Sequence, residues 1–276
     1  MTRFFEFLKK QPMMTAVLAL MIAMAGVGLP QESYLTRAVL RVLLTGTMLF
    51  LLTRISGEKT LSQGDNQTAY VFRHLMGFLI LAAIAGVLTA VGTVVQGQVR
   101  PGILLRIVTL LLLLLFLFVG LFEELCFRAV LNDAMICQFR NSKGVFVWTA
   151  AFSSLIFGAV HVIGSPLTGA VEVLEAVLKT LSTAIVGFAF LILYWKTRNI
   201  WALALIHGAY DFLASFPLVF GSSEAIGAGS YVREGTEGRI VAVVYMIQIV
   251  IVGLITLRVW RKVGKTIDFD NLRESW

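Results

Sequence analysis

Charged residues are scarce in this chain: they make up 14% of its 276 residues, whereas a soluble globular protein carries about 25%. Hydrophobic residues account for 58% of the chain. So little charge argues against a soluble domain and indicates a membrane protein. Apolar runs such as 110–118 are uninterrupted, which excludes the alternating pattern of a membrane β-barrel and predicts membrane-spanning helices.

Cysteine is also rare. Cys126 and Cys137 are the two cysteines, and they lie about 16 Å apart along one predicted helix, too far to form a disulfide within it. We interpret them as small packed side chains. The net charge of +7 is carried in short connections rather than in a basic patch with interleaved aromatic residues, so we expect no nucleic-acid partner.

The apolar runs predict an all-α, polytopic transmembrane helical bundle with about eight spans. Each span approaches the roughly 20 residues that cross a bilayer core of about 30 Å. The predicted spans are 13–29, 38–53, 75–96, 102–131, 144–163, 174–195, 200–220 and 239–260. No connection is long enough to fold alone, so we expect a single membrane-embedded domain over 1–276.

Basic residues predict the orientation of these spans. Under the eight-span arrangement 15 Lys and Arg residues fall on one side and 7 on the other, while Arg128 is intramembrane, which accounts for all 23. Positive charge favours the cytoplasmic side, so both termini are predicted to be cytoplasmic, in the cell membrane if the organism is prokaryotic. The start of the chain is similar to a secretory signal, but it continues into further spans, and we expect an uncleaved anchor.

Three short polar motifs interrupt the apolar helices: Glu123-Glu124-x-x-x-Arg128, Phe157-x-x-x-His161 and His207-x-x-x-Asp211. A charged side chain at the centre of a membrane helix costs roughly 2.5–3.5 kcal/mol on insertion scales, and such residues usually serve a function. The motifs lie within 102–220, which we take as the motif-bearing core of a peptidase domain.

The acidic motif contains one carboxylate more than a structural ion pair needs. Glu124 and Arg128 are four residues apart and can form an ion pair on one helix face. A buried ion pair that only locks helix packing would account for these two residues. It leaves Glu123 without a partner, available as a general base.

The two histidine motifs also place polar groups on one helix face. His161 follows Phe157 by one turn, and Asp211 follows His207 by one turn, where a carboxylate can orient an imidazole or share a metal with it. The alternative is a buried polar pair that holds helices together. His74, near a span end, is interpreted as an interfacial or hydrogen-bonded side chain.

Several other hydrolytic sites are excluded by their missing motifs. The chain has no His-Glu-x-x-His on one helix and no Gly-x-Ser-x-Gly. Tyr210-Asp211 is similar to one aspartyl motif of presenilin-like proteases, but the Gly-x-Gly-Asp partner is absent. Carboxylates with neutral histidines suit either a carboxylate-activated water or a zinc-bound water. His161, His207 and Asp211 are the candidate ligands in the second case.

The three motifs, in this order on successive helices, resemble the CPBP intramembrane proteases (CAAX-processing and bacteriocin-processing, or Abi), which include the Rce1-type prenyl-protein endopeptidases. The resemblance covers about 102–220. It implies an intramembrane endopeptidase, a peptide or protein substrate with or without a lipid, and a bilayer environment. Metal dependence stays open, and the absence of a compact one-helix ligand pair slightly favours the metal-free mechanism.

The resemblance also implies roles for the motif residues. Glu123 would activate a water together with His161, and His207 with Asp211 would stabilise the tetrahedral intermediate or hold a metal. Glu124 and Arg128 would support the site. Rce1-type members often have Asn at the position of Asp211, and an ionised Asp cannot donate to an oxyanion as Asn can. This departure favours Asp211 as an orienting group for His207 or as a metal ligand.

Two other classes of function remain as alternatives. A transporter or channel can use intramembrane Glu, His and Asp as a proton or ion relay, but it would favour inverted repeats, and none is seen. A catalytically silent immunity or scaffold protein should have lost at least one motif, and all three are present.

Overall fold

A computed structural model describes residues 6–8, 10–29, 33–53, 61, 67–95, 97, 99, 101–220, 231–233 and 235–274. Throughout these ranges the chain is helical or in short turns, without a β-strand, which confirms the predicted all-α class. Some of the basic residues behind the predicted orientation lie outside the described residues: Arg3, Lys9, Arg54, Lys59 and Arg100.

The helices follow one another with short connections. They are α1 (Pro12–Val27), α2 (Tyr34–Leu52), α3 (Thr68–Val95), α4 (Gly102–Glu124), a π-helical segment (Leu125–Asn132), α5 (Asp133–Phe139), α6 (Val145–Val160), α7 (Ala170–Thr197), α8 (Ile200–Ser215), α9 (Gly235–Lys262) and α10 (Phe269–Glu274). Two 3₁₀ turns, Phe216–Val219 and Gly264–Thr266, follow α8 and α9.

Six of the described helical stretches are long and apolar enough to cross a membrane. They are 35–52, 68–95, 102–139, 170–197, 200–219 and 235–266. α1 and α6 are equally apolar but have 16 residues each. The chain is therefore a polytopic membrane protein, and the eight predicted spans correspond to six full-length helices and two shorter ones.

The described residues form two compact units. The first contains the chain up to Arg140 together with 197–220, and the second contains 141–196 and 231–274. The motif-bearing stretch 102–220 therefore contributes to both units. The single domain expected from the sequence stays a prediction.

In the first unit α8 packs on α3 and α4, with backbone against backbone. A Cβ atom on Gly120 of α4 would lie 2.5 Å from the carbonyl oxygen of Ala204, and one on Gly208 of α8 would lie 2.9 Å from the Cα of Leu117. Close crossings at small residues are how membrane helices gain contact area without a hydrophobic driving force. The glycines therefore set the separation of α4 and α8.

We expect Gly120→Ala to destabilise the protein by about 1–3 kcal/mol, the usual cost of forcing extra atoms into a packed site. The added methyl group would meet the α8 backbone, which cannot rotate away as a side chain can. Gly92→Ala in α3 is the matched control, because nothing lies within 4 Å of a Cβ there. Thermal unfolding in detergent measures both, and equal midpoints for the two variants would contradict the close crossing.

The helix that carries the acidic motif is longer than predicted. The expected end at residue 131 and the expected connection 132–143 are wrong: the helix continues through the π-helical segment and α5 to Phe139. Buried polar groups hold this extension. Arg198 donates to both carboxylate oxygens of Asp133, at 3.0 and 2.7 Å, and Asn132 donates to the same carboxylate at 3.0 Å.

The same corner starts α8. Arg198 has φ +52°, a left-handed conformation that is uncommon outside glycine, and its ion pair with Asp133 keeps it there. The next residue, Asn199, caps α8 by accepting from the backbone N–H of Ala202 at 2.9 Å, and its amide donates to Thr68 at 3.1 Å. The beginning of α8, and with it the position of His207, is therefore tied to α5 and α3.

The second unit contains α6, α7 and α9. A Cβ atom on Gly158 would collide with the backbone of Thr180, so α6 and α7 touch there. Thr256 of α9 donates to the carbonyl of Ile185 in α7 at 3.2 Å, which satisfies the hydroxyl inside an apolar surrounding. Aromatic contacts hold the end of this unit where α6 begins and α7 and α9 end.

Candidate active site

Glu124 and His207 meet where α4 crosses α8. Gly120 precedes Glu124 by one helical turn and Gly208 directly follows His207, so the close glycine crossing brings these two side chains within reach. The Nδ1 atom of His207 lies 2.7 Å from Oε1 of Glu124, and both side chains are buried. This hydrogen bond joins residues 83 positions apart in the chain.

The hydrogen bond fixes the orientation of the imidazole. An ionised carboxylate only accepts, so Nδ1 of His207 carries the hydrogen and donates it to Glu124. The opposite nitrogen, Nε2, then faces two further carboxylates: Oε2 of Glu123 at 3.6 Å and Oδ2 of Asp211 at 3.7 Å. His207 is therefore at the centre of three acidic side chains.

Arg128 offsets part of this negative charge. Its Nε lies 3.2 Å from Oε2 of Glu124, and the two side chains are 3% and 0% exposed. The ion pair predicted from the four-residue spacing is present. Glu124 thus lies between Arg128 and His207. Its Oε2 faces the guanidinium of Arg128, and its Oε1 accepts from His207.

One sequence-based expectation needs correction here, and another needs a further residue. Glu123 was expected to be left without a partner, but it approaches Nε2 of His207. Asp211 was expected to orient His207 or to bind a metal; it lies 3.7 Å from Nε2 of His207, and a shorter, buried contact to Nδ1 comes from Glu124. Spacing within one helix could not reveal either contact, because both depend on how α4 meets α8.

The three carboxylates differ in their access to the surroundings. The side chain of Glu124 is fully buried, whereas those of Glu123 and Asp211 are 17% and 24% exposed. A water molecule or a peptide can reach a group only through its exposed atoms. Glu123 and Asp211 are thus the acidic groups open to the surroundings, whereas Glu124 is closed off.

A π-helical segment begins at Leu125, directly after the acidic pair. Its hydrogen bonds span five residues rather than four, and such segments are rare and often found at functional sites. All eight of its residues are buried, Cys126 and Arg128 among them. Cys126 and Cys137 are both free thiols, as expected from their separation.

His161 lies in the second unit, at the end of α6, and is half-buried. Its Nδ1 is 2.7 Å from the carbonyl oxygen of Phe157, whose ring lies edge-on at 4.9 Å. The ring of Tyr231 lies 6.1 Å away. The predicted common face of Phe157 and His161 is therefore present.

Tyr231 was missed by the sequence analysis. The ammonium of Lys179 lies 4.0 Å from the centre of its ring, and Tyr245 donates to its carbonyl oxygen at 2.8 Å. Two residues later, the backbone N–H of Arg233 donates to the buried carboxylate of Glu175. No local motif marks these residues, and only the intramembrane charges of Lys179 and Glu175 could have drawn attention to them.

Five of the six predicted site residues come together around His207: Glu123, Glu124, Arg128, His207 and Asp211. The sixth, His161, belongs to the second unit, where it contacts Phe157. His74, as predicted, is hydrogen-bonded locally, with Nδ1 2.8 Å from the carbonyl of Tyr70.

Metal binding by His161, His207 and Asp211 gains no support from the geometry. Within the part of the chain that the structure describes, no three His, Cys, Asp or Glu side chains are arranged to hold a metal ion together. The interpretation as a metalloprotease therefore has no ligand set among the described residues.

Comparison with known proteins finds one similarity in this region. Residues 105–213 match the family described as type II CAAX prenyl endopeptidase Rce1-like. No curated protein and no solved structure matches the chain. The matched segment begins inside α4, ends inside α8 and contains all three motifs, so this stretch of the chain is similar to the Rce1-like family. This family implies a CAAX-protease type of enzyme embedded in the membrane.

Proposed function

We propose that this Rce1-like chain is an endopeptidase that hydrolyses a peptide bond at or within the membrane, with Glu123 as the general base. The observation that carries the proposal is the hydrogen bond from His207 to Glu124, which directs Nε2 of His207 toward Glu123 and Asp211. This is an acid–base pair held in place by a buried third group. Such an arrangement is common to many hydrolytic sites.

The reaction needs a base for water and a donor for the oxyanion. The Glu123 carboxylate takes a proton from a water molecule while the water oxygen attacks the peptide carbonyl carbon. His207, with hydrogen on both nitrogens, donates from Nε2 to the oxyanion that forms, and Glu124 balances its charge. Glu123 then passes its proton to the leaving amine as the C–N bond breaks.

Asp211 and His161 take supporting roles in this proposal. Asp211 lies 3.7 Å from Nε2 of His207 and holds the cationic form of the imidazole by its charge. The family resemblance assigns His161 a share in activating the water. Glu124 and Arg128 form the buried support. Arg128 pairs with Oε2 of Glu124, and the other carboxylate oxygen, Oε1, accepts from His207.

The substrate class follows from the family alone. A CAAX sequence is a C-terminal Cys-aliphatic-aliphatic-X motif whose cysteine is prenylated. We propose a membrane-associated peptide of this type, with the lipid anchoring the chain at the bilayer. Nothing in the geometry favours the transporter or channel alternative, and the retention of every motif argues against a silent scaffold.

The activity is tested with purified protein in vesicles and a fluorogenic C-terminal CAAX peptide, with and without a farnesyl group. We expect release of the terminal tripeptide from the farnesylated peptide and far slower release from the unmodified one. A parallel reaction with a chelator tests the metal alternative, and full activity is expected there. Reversible loss in the chelator would overturn the metal-free mechanism, and cleavage of neither peptide would remove the substrate proposal.

We further propose that both termini are cytoplasmic, from the 15:7 distribution of basic residues. Cysteines introduced at Ser142 and Ser222, in a variant with Cys126 and Cys137 replaced by alanine, should label from opposite sides. Ser222 lies outside the described residues, but three helices separate the two positions. The decisive helix is α6, whose 16 residues extend about 24 Å. Labelling from one side would mean that α6 does not cross the bilayer.

A further inference from the structure

An apolar groove of about 740 Å³ lies in the second unit, away from every residue given a role above. It is lined by helices α6, α7 and α9 and by α10. Its walls are almost entirely hydrocarbon, with Ser154 as the only hydroxyl group among the lining residues. The volume falls in the range of ligand-sized pockets, about 300–1,000 Å³.

One end of the groove is built from aromatic side chains. Phe146 of α6 meets Trp195 of α7 edge-on, with ring centres 5.4 Å apart, and Phe269 of α10 packs against both. Trp260 of α9 lies 5.9 Å from Phe188. Tryptophan is enriched where a membrane protein passes from hydrocarbon to headgroups. This end therefore marks the membrane surface, and the rest of the groove extends toward the hydrocarbon.

The aromatic end is rimmed by positive charge. Arg273 lies with its guanidinium 5.9 Å from the Phe146 ring centre, Lys196 follows Trp195, and Lys143 precedes Gly144 on the groove wall. Arg261, Lys262 and Lys265 follow Trp260 and are exposed. The acidic residues after Trp260 are Asp268, Asp270 and Glu274. The six basic residues named here therefore outnumber these three acidic ones.

Arg273 supplies the sharpest indication that something binds there. Its Nε atom is buried and donates no hydrogen bond within the part of the chain described by the structure. A buried donor without an acceptor is unfavourable and rare in folded proteins. An anionic oxygen placed at the end of the groove would accept from it. Lys196, by contrast, is half-buried and already donates to the carbonyl of Thr266 at 2.8 Å.

We propose that this groove binds one anionic phospholipid, with an acyl chain along the apolar walls and the headgroup phosphate against Arg273 and Lys196. Basic pockets between membrane helices are the usual sites for anionic lipid headgroups. Anionic and zwitterionic lipids offer the same hydrocarbon to the apolar walls. The positive charge at the aromatic end therefore decides between them and favours the anionic lipid. The site is separate from the proposed peptidase chemistry and does not depend on it.

The test is native mass spectrometry of the purified full chain in detergent. The protein is mixed with equal amounts of phosphatidylglycerol and phosphatidylcholine of identical acyl chains. We expect one retained phosphatidylglycerol, preferred by about fivefold or more, the effect of a single Lys or Arg on attraction to anionic lipid. Arg273→Gln should bring the two lipids close to equal retention, and Lys196→Gln should weaken the preference.

Two further variants separate the headgroup site from the groove and from general charge. Ala151→Trp, at an exposed position of the lining, should reduce retention of both lipids because its ring fills the groove. Lys10→Gln removes one exposed positive charge in the first unit and should leave the preference unchanged. Equal retention of both lipids by the wild type would overturn the proposal. So would an unchanged preference in Arg273→Gln, unchanged retention of both lipids in Ala151→Trp, or a second copy of the chain bound instead of lipid.

Discussion

Replacing Glu123 by glutamine is expected to abolish cleavage while the protein still inserts, accumulates and unfolds at the wild-type temperature. The amide keeps the size of the side chain but cannot take a proton from water. Removal of a general base usually costs about 10²–10⁴-fold in rate. The side chain is partly exposed and faces Nε2 of His207 at 3.6 Å, so its loss changes chemistry more than packing. Tripeptide release from the farnesylated peptide measures the effect.

Asp211→Asn is the matched comparison, since it neutralises the other exposed carboxylate that faces the same nitrogen at 3.7 Å. We expect this variant to keep substantial activity, because Glu124 still orients His207 through the 2.7 Å hydrogen bond and Glu123 still provides the base. A Glu123→Gln variant with activity within about tenfold of wild type, a barrier change of only ~1.4 kcal/mol, would remove Glu123 as the base. Equal losses in both variants would indicate that net charge, not one base, controls the rate.

The apolar runs predicted which helices exist more reliably than where they end. The span predicted at 75–96 corresponds to α3, which begins earlier, at Thr68. The apolar pattern missed its first turns because they carry polar residues such as Arg73. Hydropathy detects the part of a helix that lies in hydrocarbon, whereas hydrogen bonding continues into the polar layer. The same difference explains why α7 and α9 are longer than their predicted spans.

The extension beyond residue 131 could not be predicted for another reason. Asn132 and Asp133 are polar residues in the place where a connection was expected, and they indicate a solvated turn on composition alone. In the structure both are buried, because Arg198 supplies the charge that Asp133 needs. A partner 65 positions away leaves no mark on the local sequence pattern.

The candidate site was predicted as a set of residues but not as an arrangement. Spacing of four residues identified the pairs Glu124–Arg128 and His207–Asp211 within single helices. The contact between Glu124 and His207 depends on the crossing of α4 and α8. Gly120 and Gly208 could have indicated that crossing, because each lies within four residues of a motif and small residues mark close helix contacts.

Arg128→Ala is expected to destabilise the protein by about 3–5 kcal/mol, the cost of breaking a buried ion pair and leaving one charge without its partner. Glu124 is fully buried and would keep the hydrogen bond from His207 without the positive charge of Arg128. Thermal unfolding in detergent and cleavage of the farnesylated peptide should both decline. Arg106→Ala is the control on the same helix, since Arg106 is exposed and surface charges contribute little.

A double variant distinguishes the lost charge from lost packing. In Glu124→Gln/Arg128→Ala the uncompensated carboxylate is gone, while the glutamine oxygen can still accept from Nδ1 of His207. If the ion pair is the cause, the double variant should unfold at a higher temperature than Arg128→Ala alone, with a coupling of about 0.5–3 kcal/mol between the two positions. Packing of the arginine stem predicts no such recovery. Unchanged unfolding of Arg128→Ala itself would show that water screens the pair, and Glu124 would then lose its role as the buried support of His207.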